Sequence, residues 1–509
     1  MDVFGSLLGG FATALTPINL LYAGIGVLVG TAIGVLPGIG PALTISLLLP
    51  ITFGLDPVPA FIMFGGIYYG AMYGGSTTSI LVNTPGESAS VVTAIDGYQM
   101  ARNGRAGAAL ATSAIGSFVA GTLATIALMF TATALVGFAV QLGPPEYFAI
   151  MIVALSAVTS LSGTSAPKAV AATLIGLALG LIGTDNQTGQ LRLTFGISEL
   201  EDGIDVVLGA IGLFAVSEVL WYAATLRYQA EQREKVKGRV WMTGEEFRRS
   251  IPAWLRGSGI GFFIGALPGA GATVASFISY AIERRVSKHR AEFGKGAIEG
   301  VAGPEAANNA AAGGHLVPLL GLGIPGSGTT AVMLAAFQLY GLQPGPLLFT
   351  TRPDLVWGLI ASLYLANVAL LVLNLPLVGL WVKLLDIPKP LLYGGILVVS
   401  AVGVYSLDRR AFDLVVVFAL GVLGFVMRRF DYPLAPVILG IVLGPLIDNN
   451  FRRGMILTDG NIFTLLTRPL TLAILALAVL FFVIPFAIRL WGRARGSRDI
   501  AMITEADPG

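Results

Sequence analysis

The stretch Gly34-Val35-Leu36-Pro37-Gly38-Ile39-Gly40 returns 231 residues later as Gly265-Ala266-Leu267-Pro268-Gly269-Ala270-Gly271. Each copy sets one proline and three glycines inside an apolar run. Proline removes a backbone donor and blocks the preceding helical turn, while glycine lets a backbone approach a neighbour or ligand closely. A helix is therefore interrupted in the same manner twice. What surrounds the two interruptions decides the fold.

The surroundings are those of a membrane protein. The 509-residue chain is 55% hydrophobic and 12% charged, where a soluble chain carries about 25% charged residues. Apolar runs of about 17 residues or more recur along most of it, as transmembrane helices require. A net charge of +2 gives no basis for a nucleic-acid partner. Without cysteine the chain has neither disulfides nor a thiolate metal site. Residues 1–16 carry no Lys or Arg, which argues against a cleaved secretory signal.

Charge placement orients the spans. No basic residue precedes Arg102, and two later loops, 227–249 and 283–295, are rich in Lys and Arg. The positive-inside rule places both in the cytoplasm, where they read as topology signals. Between them lie two arms of about fourteen residues, 254–267 and 272–284, each roughly 20 Å long as helix. That is short for a hydrocarbon core of roughly 30 Å. Residues 253–284 therefore read as a re-entrant hairpin open to the cytoplasm, with its tip at Pro268-Gly269-Ala270-Gly271. The flanks of the first copy, 1–17 and 52–60, carry no basic residue, which makes 17–55 a hairpin open to the periplasm, with its tip at Pro37-Gly38-Ile39-Gly40.

A second matched feature follows each hairpin. Segment 59–101 breaks at Asn83-Thr84-Pro85-Gly86, and segment 297–341 breaks at Ile324-Pro325-Gly326-Ser327-Gly328. With 59–101 as the first, spans over 107–141, 147–164, 168–184 and 204–224 make five crossings before the second hairpin, so the second copy is inverted. Further spans are expected near 355–384, 391–407, 411–427, 434–447 and 470–490. Arg409-Arg410 and Arg452-Arg453 then fall outside against the rule, with Asp408 and Asp448 as candidate partners.

The whole reads as an all-α integral membrane protein. It has about 11 transmembrane helices plus two re-entrant hairpins, in two inverted-topology repeats with discontinuous helices. Residues 1–225 form the first repeat, 226–252 a cytoplasmic basic linker, 253–490 the second repeat and 491–509 a cytoplasmic tail. The N-terminus is expected in the periplasm.

Irregular backbone at membrane depth survives only when buried in protein or lining a cavity. Helix N-termini exposed at such breaks attract anions and C-termini attract cations. Inverted repeats whose broken helices meet at the midplane are the layout of secondary transporters. Substrate contacts are expected in the first repeat at Pro37, Gly38, Gly40, Thr77, Thr78, Asn83, Thr84, Pro85 and Gly86. In the second they are expected at Pro268, Gly269, Gly271, Asn308, Pro325, Gly326 and Ser327. Carbonyl ends near Gly40, Asn83, Gly271 and Gly326 are the places for a coupling Na⁺. No other metal and no organic cofactor is expected. Hydroxyls in membrane helices also bond back to the preceding turn, so each single Ser or Thr has a structural reading as well. Glu87, Glu305 and His315 are ionisable groups beside the breaks, either functional or seated at an interface.

GVLPGIGPALTISLLLP, YYGAMYGGSTTSILVNTPGE, GAIEGVAGPEAANNAAAGGHLVPLLGLGIPGSG and FDLVVVFALGVLGFVMRRFDYPLAPVILGIVLGPL resemble the large membrane subunit of tripartite tricarboxylate transporters, the TctA family. The resemblance runs from about residue 17 to 490. It implies a carrier in the bacterial inner membrane for carboxylates such as citrate, with symport of Na⁺. It also implies two partners, a small TctB-like membrane subunit and a periplasmic TctC-like solute-binding protein. Lipid is the remaining partner. No Walker A pattern occurs, so the chain is not expected to be an enzyme that hydrolyses ATP. The rivals are an intramembrane serine protease using Ser327 and His315, and a passive anion channel.

Overall fold

The computed structural model describes residues 2–36, 39–161, 165–185, 187–225, 241–269 and 271–495. Pro37, Gly38, Ala270, most of the basic linker (226–240) and the tail from 496 lie outside the described residues. Apart from a short ribbon pairing Gly183–Thr184 with Leu191–Arg192, regular structure among the described residues is helical. Six helical segments there are long and apolar enough to cross a membrane: Pro17–Val35, Ser88–Ala139, Val206–Ala224, Pro353–Asp386, Lys389–Asp408 and Ala411–Arg429. Shorter apolar helices accompany them, among them Pro41–Thr52, Ala166–Gly180 and Gly328–Leu339.

Two boundaries differ from those read in the sequence. A helix at Val3–Ala14 precedes the first hairpin; Asp2 caps it by accepting the Phe4 N–H at 3.2 Å. The Thr16-Pro17 pair ends this run after twelve residues, too few to register as a span. The first arm of the second hairpin begins at Gly244, ten residues before 254, because Thr243 and Glu246 form a reciprocal capping box. That arm is 22 residues long, about 33 Å as helix, so the shortness that argued for re-entrance does not hold for it. Its charged turns are held in place: Arg249 bonds Glu292 and Glu299, and Arg256 bonds Glu283. Arg249 and Arg256 thus pack the segment.

Contacts divide the chain into two compact units. The first comprises Met1–Ala139, Val207–Leu267 and Gly271–Phe425; the second comprises Val140–Val206, Pro268–Ala270 and Val426–Gly509. Each unit therefore draws on both halves of the sequence.

In the first unit one packing pattern occurs twice. A Cβ placed on Gly26, Gly30 or Gly34 would lie 2.3, 2.5 or 2.4 Å from the carbonyl oxygens of Met63, Ile67 and Ala71. A Cβ on Gly257, Gly261 or Gly265 would lie 2.3, 2.2 or 2.5 Å from those of Gly303, Ala307 and Ala311. Hairpin glycines recur 231 positions on, and the backbones they meet recur 240 positions on. Small residues at four-residue spacing let helices approach closely where lipid gives no hydrophobic drive to associate. The glycines are thus the surface by which each hairpin's first arm lies on the long helix behind it, Pro57–Val82 or Glu299–Leu322.

The second unit uses the same device once more: a Cβ on Gly176 or Gly180 would meet the carbonyls of Val437 or Ile441 at 2.2 and 2.5 Å. At one end of this unit Arg192 bonds both Asp185 and Asp448, and Arg452 bonds Asp448 at 2.9 Å and Asp185 at 3.1 Å. Asp448 is therefore the partner of Arg452 that the sequence suggested. The Gln187 N–H first, and Arg192 beyond it, hold the Asp185 carboxyl well below the usual range.

Candidate functional site

The two breaks are built alike. Helix Pro57–Val82 stops at Asn83, whose φ of 55° is left-handed, and helix Glu299–Leu322 stops at Gly323, with φ of 71°. One residue on, the Thr84 N–H bonds the Thr78 carbonyl at 3.4 Å, and the Ile324 N–H bonds that of Pro318 at 3.1 Å. These six-residue closures satisfy carbonyls that a helix end otherwise leaves open. Proline then forbids continuation. Each chain restarts on a capping box, Glu87 with Ser90 and Ser327 with Thr330.

The restarts face one cavity of about 400 Å³, within the ~300–1,000 Å³ typical of small-molecule sites. All its lining residues belong to the first unit. Four helix N-termini open onto it. Gly40, Pro41 and Ala42 begin helix Pro41–Thr52; Glu87, Ser88 and Ala89 begin the helical stretch Ser88–Met100. Gly271, Ala272 and Thr273 begin Gly271–Val286, and Ser327 and Thr329 begin Gly328–Leu339. No side chain caps the Gly40 end. The walls are completed by Tyr68, Met72, Pro85, Gly86 and His315.

No Lys or Arg lines the cavity, so its positive character comes from backbone. Each N-terminus carries roughly +0.5 of an elementary charge, and four together roughly two. Two neutral groups add direction. Tyr68 Oη sits 2.7 Å from His315 Nδ1 and 3.3 Å from Ser327 Oγ. His315 is 1% exposed, yet its Nε2 has no hydrogen-bond partner.

Two hydrogen bonds cross between the repeated halves in a reciprocal way. Tyr68, on the long helix of the first half, reaches Ser327 at the second break. Asn308, 240 positions after Tyr68, donates its Nδ2 to Glu87 Oε1 at 2.9 Å at the first break. Glu87 and Ser327 are themselves 240 positions apart. Each break is thus held by the long helix of the other half.

The structure brings some of the sequence-derived residues to the cavity and leaves others away from it. Gly40, Pro85, Gly86, Gly271 and Ser327 line it. Asn308 stands behind it, fully buried, through its bond to Glu87. Pro325 and Gly326 are buried at the break, Gly326 against the His315 ring. Thr77 and Thr78 are buried in the long helix, and the Thr78 hydroxyl bonds back to the Gly75 carbonyl at 3.1 Å. Asn83 and Thr84 close the helix end without lining the cavity. Pro268 and Gly269 group with the second unit, where a Cβ on Gly269 would lie 2.2 Å from Val158 Cα.

Tyr68 and Met72 line the cavity without having been singled out. Their signal was present: they lie four residues apart on one helical face, and a membrane tyrosine needs a partner for its hydroxyl. Glu305, suspected from its position, is fully buried in a cage of Ser76 (2.5 Å), Thr93 (3.1 Å), Ser117 (3.2 Å) and Asn309 (3.1 Å). Ser327 hydrogen-bonds Tyr68 and Thr330 rather than His315, so the pair lacks the nucleophile–base bond a serine hydrolase uses.

Known proteins were compared with this chain. The family model described as "Tripartite tricarboxylate transporter TctA family" matches residues 20–439. An Agrobacterium vitis protein described as "Uncharacterized 52.8 kDa protein in TAR-I ttuC' 3'region" is 48% identical over 507 residues, covering 99% of this chain and 100% of the relative. A second Agrobacterium vitis protein, "Uncharacterized protein in TAR-II ttuC' 3'region", is 47% identical over 219 residues, 43% of this chain and 90% of that relative. No solved structure matches.

Proposed function

Because the chain belongs to the tripartite tricarboxylate transporter TctA family, a family of transporters and not of enzymes, we propose that the four-ended cavity is where it holds a carboxylate in transit. The observation that carries this reading is the convergence of four helix N-termini on one cavity that has no basic side chain. Backbone N–H groups bind carboxylates without the grip of an arginine fork, which suits a ligand that must be released on the far side. Ser327 and Thr329, which line the cavity, supply further hydrogen bonds through their hydroxyls.

The carrier works with a small membrane subunit and a periplasmic binding protein in a bacterial inner membrane. Alternating access exposes the cavity to either side in turn, biased by the ligands' different affinities for the two states. Na⁺ is the coupling ion, held by carbonyls at the ends of the interrupted helices. The equivalent hydrogen bonds at the two breaks support two repeats of one fold, and the charge of the loops beside them supports their opposite orientation. A passive channel is disfavoured by the closely packed breaks, which offer a pocket and not a continuous polar path.

Proteoliposomes holding the chain, its small subunit and its binding protein test this reading. Citrate should accumulate against its gradient when Na⁺ is higher outside; only downhill flux would convert the protein to a channel. Orientation has its own check, since the native chain lacks cysteine. Cysteine in place of Asp56 should label from outside and in place of Ser287 only from inside. Labelling of both from one face would remove the inversion.

A further inference from the structure

Glu87 is out of place in an anion cavity. It lines the wall beside three other helix N-termini, is partly open to the cavity, and forms no ion pair among the described residues. Its side chain accepts the Asn308 amide at 2.9 Å and closes the capping box with Ser90. The equivalent position at the second break is Ser327, and the cap there works with a neutral hydroxyl. A carboxylate is therefore not needed to start the helix. Its charge also opposes the ligand: two carboxylates within a few ångströms do not both stay ionised, and one takes a proton.

The titratable groups that face Glu87 leave no other carrier for that proton. Tyr68, on helix Pro57–Val82, is engaged with His315 and Ser327. His315, on helix Glu299–Leu322, spends its Nδ1 on Tyr68 and is too deeply buried, at 1% exposure, to gain charge cheaply. Glu305, on the same helix, lies off the cavity, enclosed by Ser76, Thr93, Ser117 and Asn309. The lining residues at 40–42 and 271–273 contain nothing titratable.

We infer that Glu87 takes up one proton whenever a carboxylate ligand occupies the cavity, so that anion and proton cross together. This rests on reading the cavity as the anion site. The proton comes from hydronium on the side to which the cavity is open: one O–H bond of the hydronium breaks as one forms on a Glu87 carboxylate oxygen, and water is left behind. The new O–H faces the ligand and donates to it. Departure of the anion on the far side restores the carboxylate, and the proton leaves with it.

Titration calorimetry of citrate into the purified complex, in buffers of different ionisation enthalpy, counts protons taken up on binding. Wild type should take up one more proton per citrate than Glu87→Gln, whose side-chain carbonyl still accepts from Asn308. Equal uptake overturns the inference while leaving the cavity reading intact. Absence of any citrate binding by the folded wild-type complex overturns both. The wild-type protein provides a second measurement that does not depend on the variant folding. In proteoliposomes with Na⁺ equal on both sides, an interior more alkaline by about one pH unit should raise accumulated citrate about tenfold at one proton per anion. Accumulation unchanged by that gradient overturns the inference.

Discussion

The first and second breaks share a backbone and differ in side chains. Both end a long helix on a left-handed residue, close it with a six-residue hydrogen bond, turn through Pro-Gly and restart on a capping box. Yet at equivalent positions the first carries Asn83, Glu87 and Gly75 where the second carries Gly323, Ser327 and His315. Geometry recurs because every helix end must satisfy the same backbone groups without water. Chemistry diverges because the backbone closure leaves the side chains at these positions free to differ. The lesson is that the fold sets where N–H groups point, and the two walls then divide the work between an acid and a neutral imidazole–hydroxyl pair.

The largest difference between the breaks should appear at the glycine that follows each proline. A Cβ on Gly86 would lie 2.1 Å from the Gly34 carbonyl oxygen and 2.7 Å from Gly75 Cα, both backbone. A Cβ on Gly326 would meet His315 at 3.0–3.2 Å, partly through its side chain. Gly86→Ala should cost about 3 kcal/mol, and Gly326→Ala about 1 kcal/mol, in thermal unfolding of detergent-solubilised protein. Equal losses would mean that the two breaks are packed alike.

Next come the reciprocal bonds. Asn308→Leu removes the side-chain donor that orients Glu87 and leaves a group at the cavity wall without its partner, and should weaken citrate binding by about 2 kcal/mol, roughly 30-fold. Tyr68→Phe removes a hydroxyl bonded to neutral partners and should cost about 1 kcal/mol, roughly fivefold. Calorimetry on both variants would sharpen the comparison, and a larger loss for Tyr68→Phe would reverse the assignment of the stronger wall.

The smallest effects belong to the helix ends. Gly323→Ala places a Cβ 2.6 Å from the Pro344 carbonyl in a left-handed conformation and should lower stability by about 1–2 kcal/mol. Asn83→Gly introduces the residue that the second break already uses and should change stability by about 0.5 kcal/mol or less. Differential melting of the two variants checks both values.

Much of this architecture was legible because its cause is local. Proline and glycine at Pro85-Gly86 and Pro325-Gly326 dictate an interrupted helix whatever surrounds them, and glycines at four-residue spacing mark a close helix contact. Cavity membership is a different matter, since it depends on contacts far apart in sequence. Tyr68 reaches Ser327 across 259 residues, and no spacing rule connects them. Pro268 and Gly269 carry the same motif as Pro37 and Gly38, but Gly269 is fixed against Val158, which the motif does not encode. Thr78 satisfied its own preceding turn, the structural reading open to any membrane threonine.

The central claim is that a carboxylate sits where the four helix N-termini meet. Ala42 lines that cavity at the uncapped Gly40 end, and cysteine placed there would be the chain's only thiol. Labelling of Ala42→Cys by a maleimide should slow about tenfold at a citrate concentration ten times the dissociation constant. Labelling at an unchanged rate, in a complex that still takes up citrate, would place the ligand elsewhere and contradict the account.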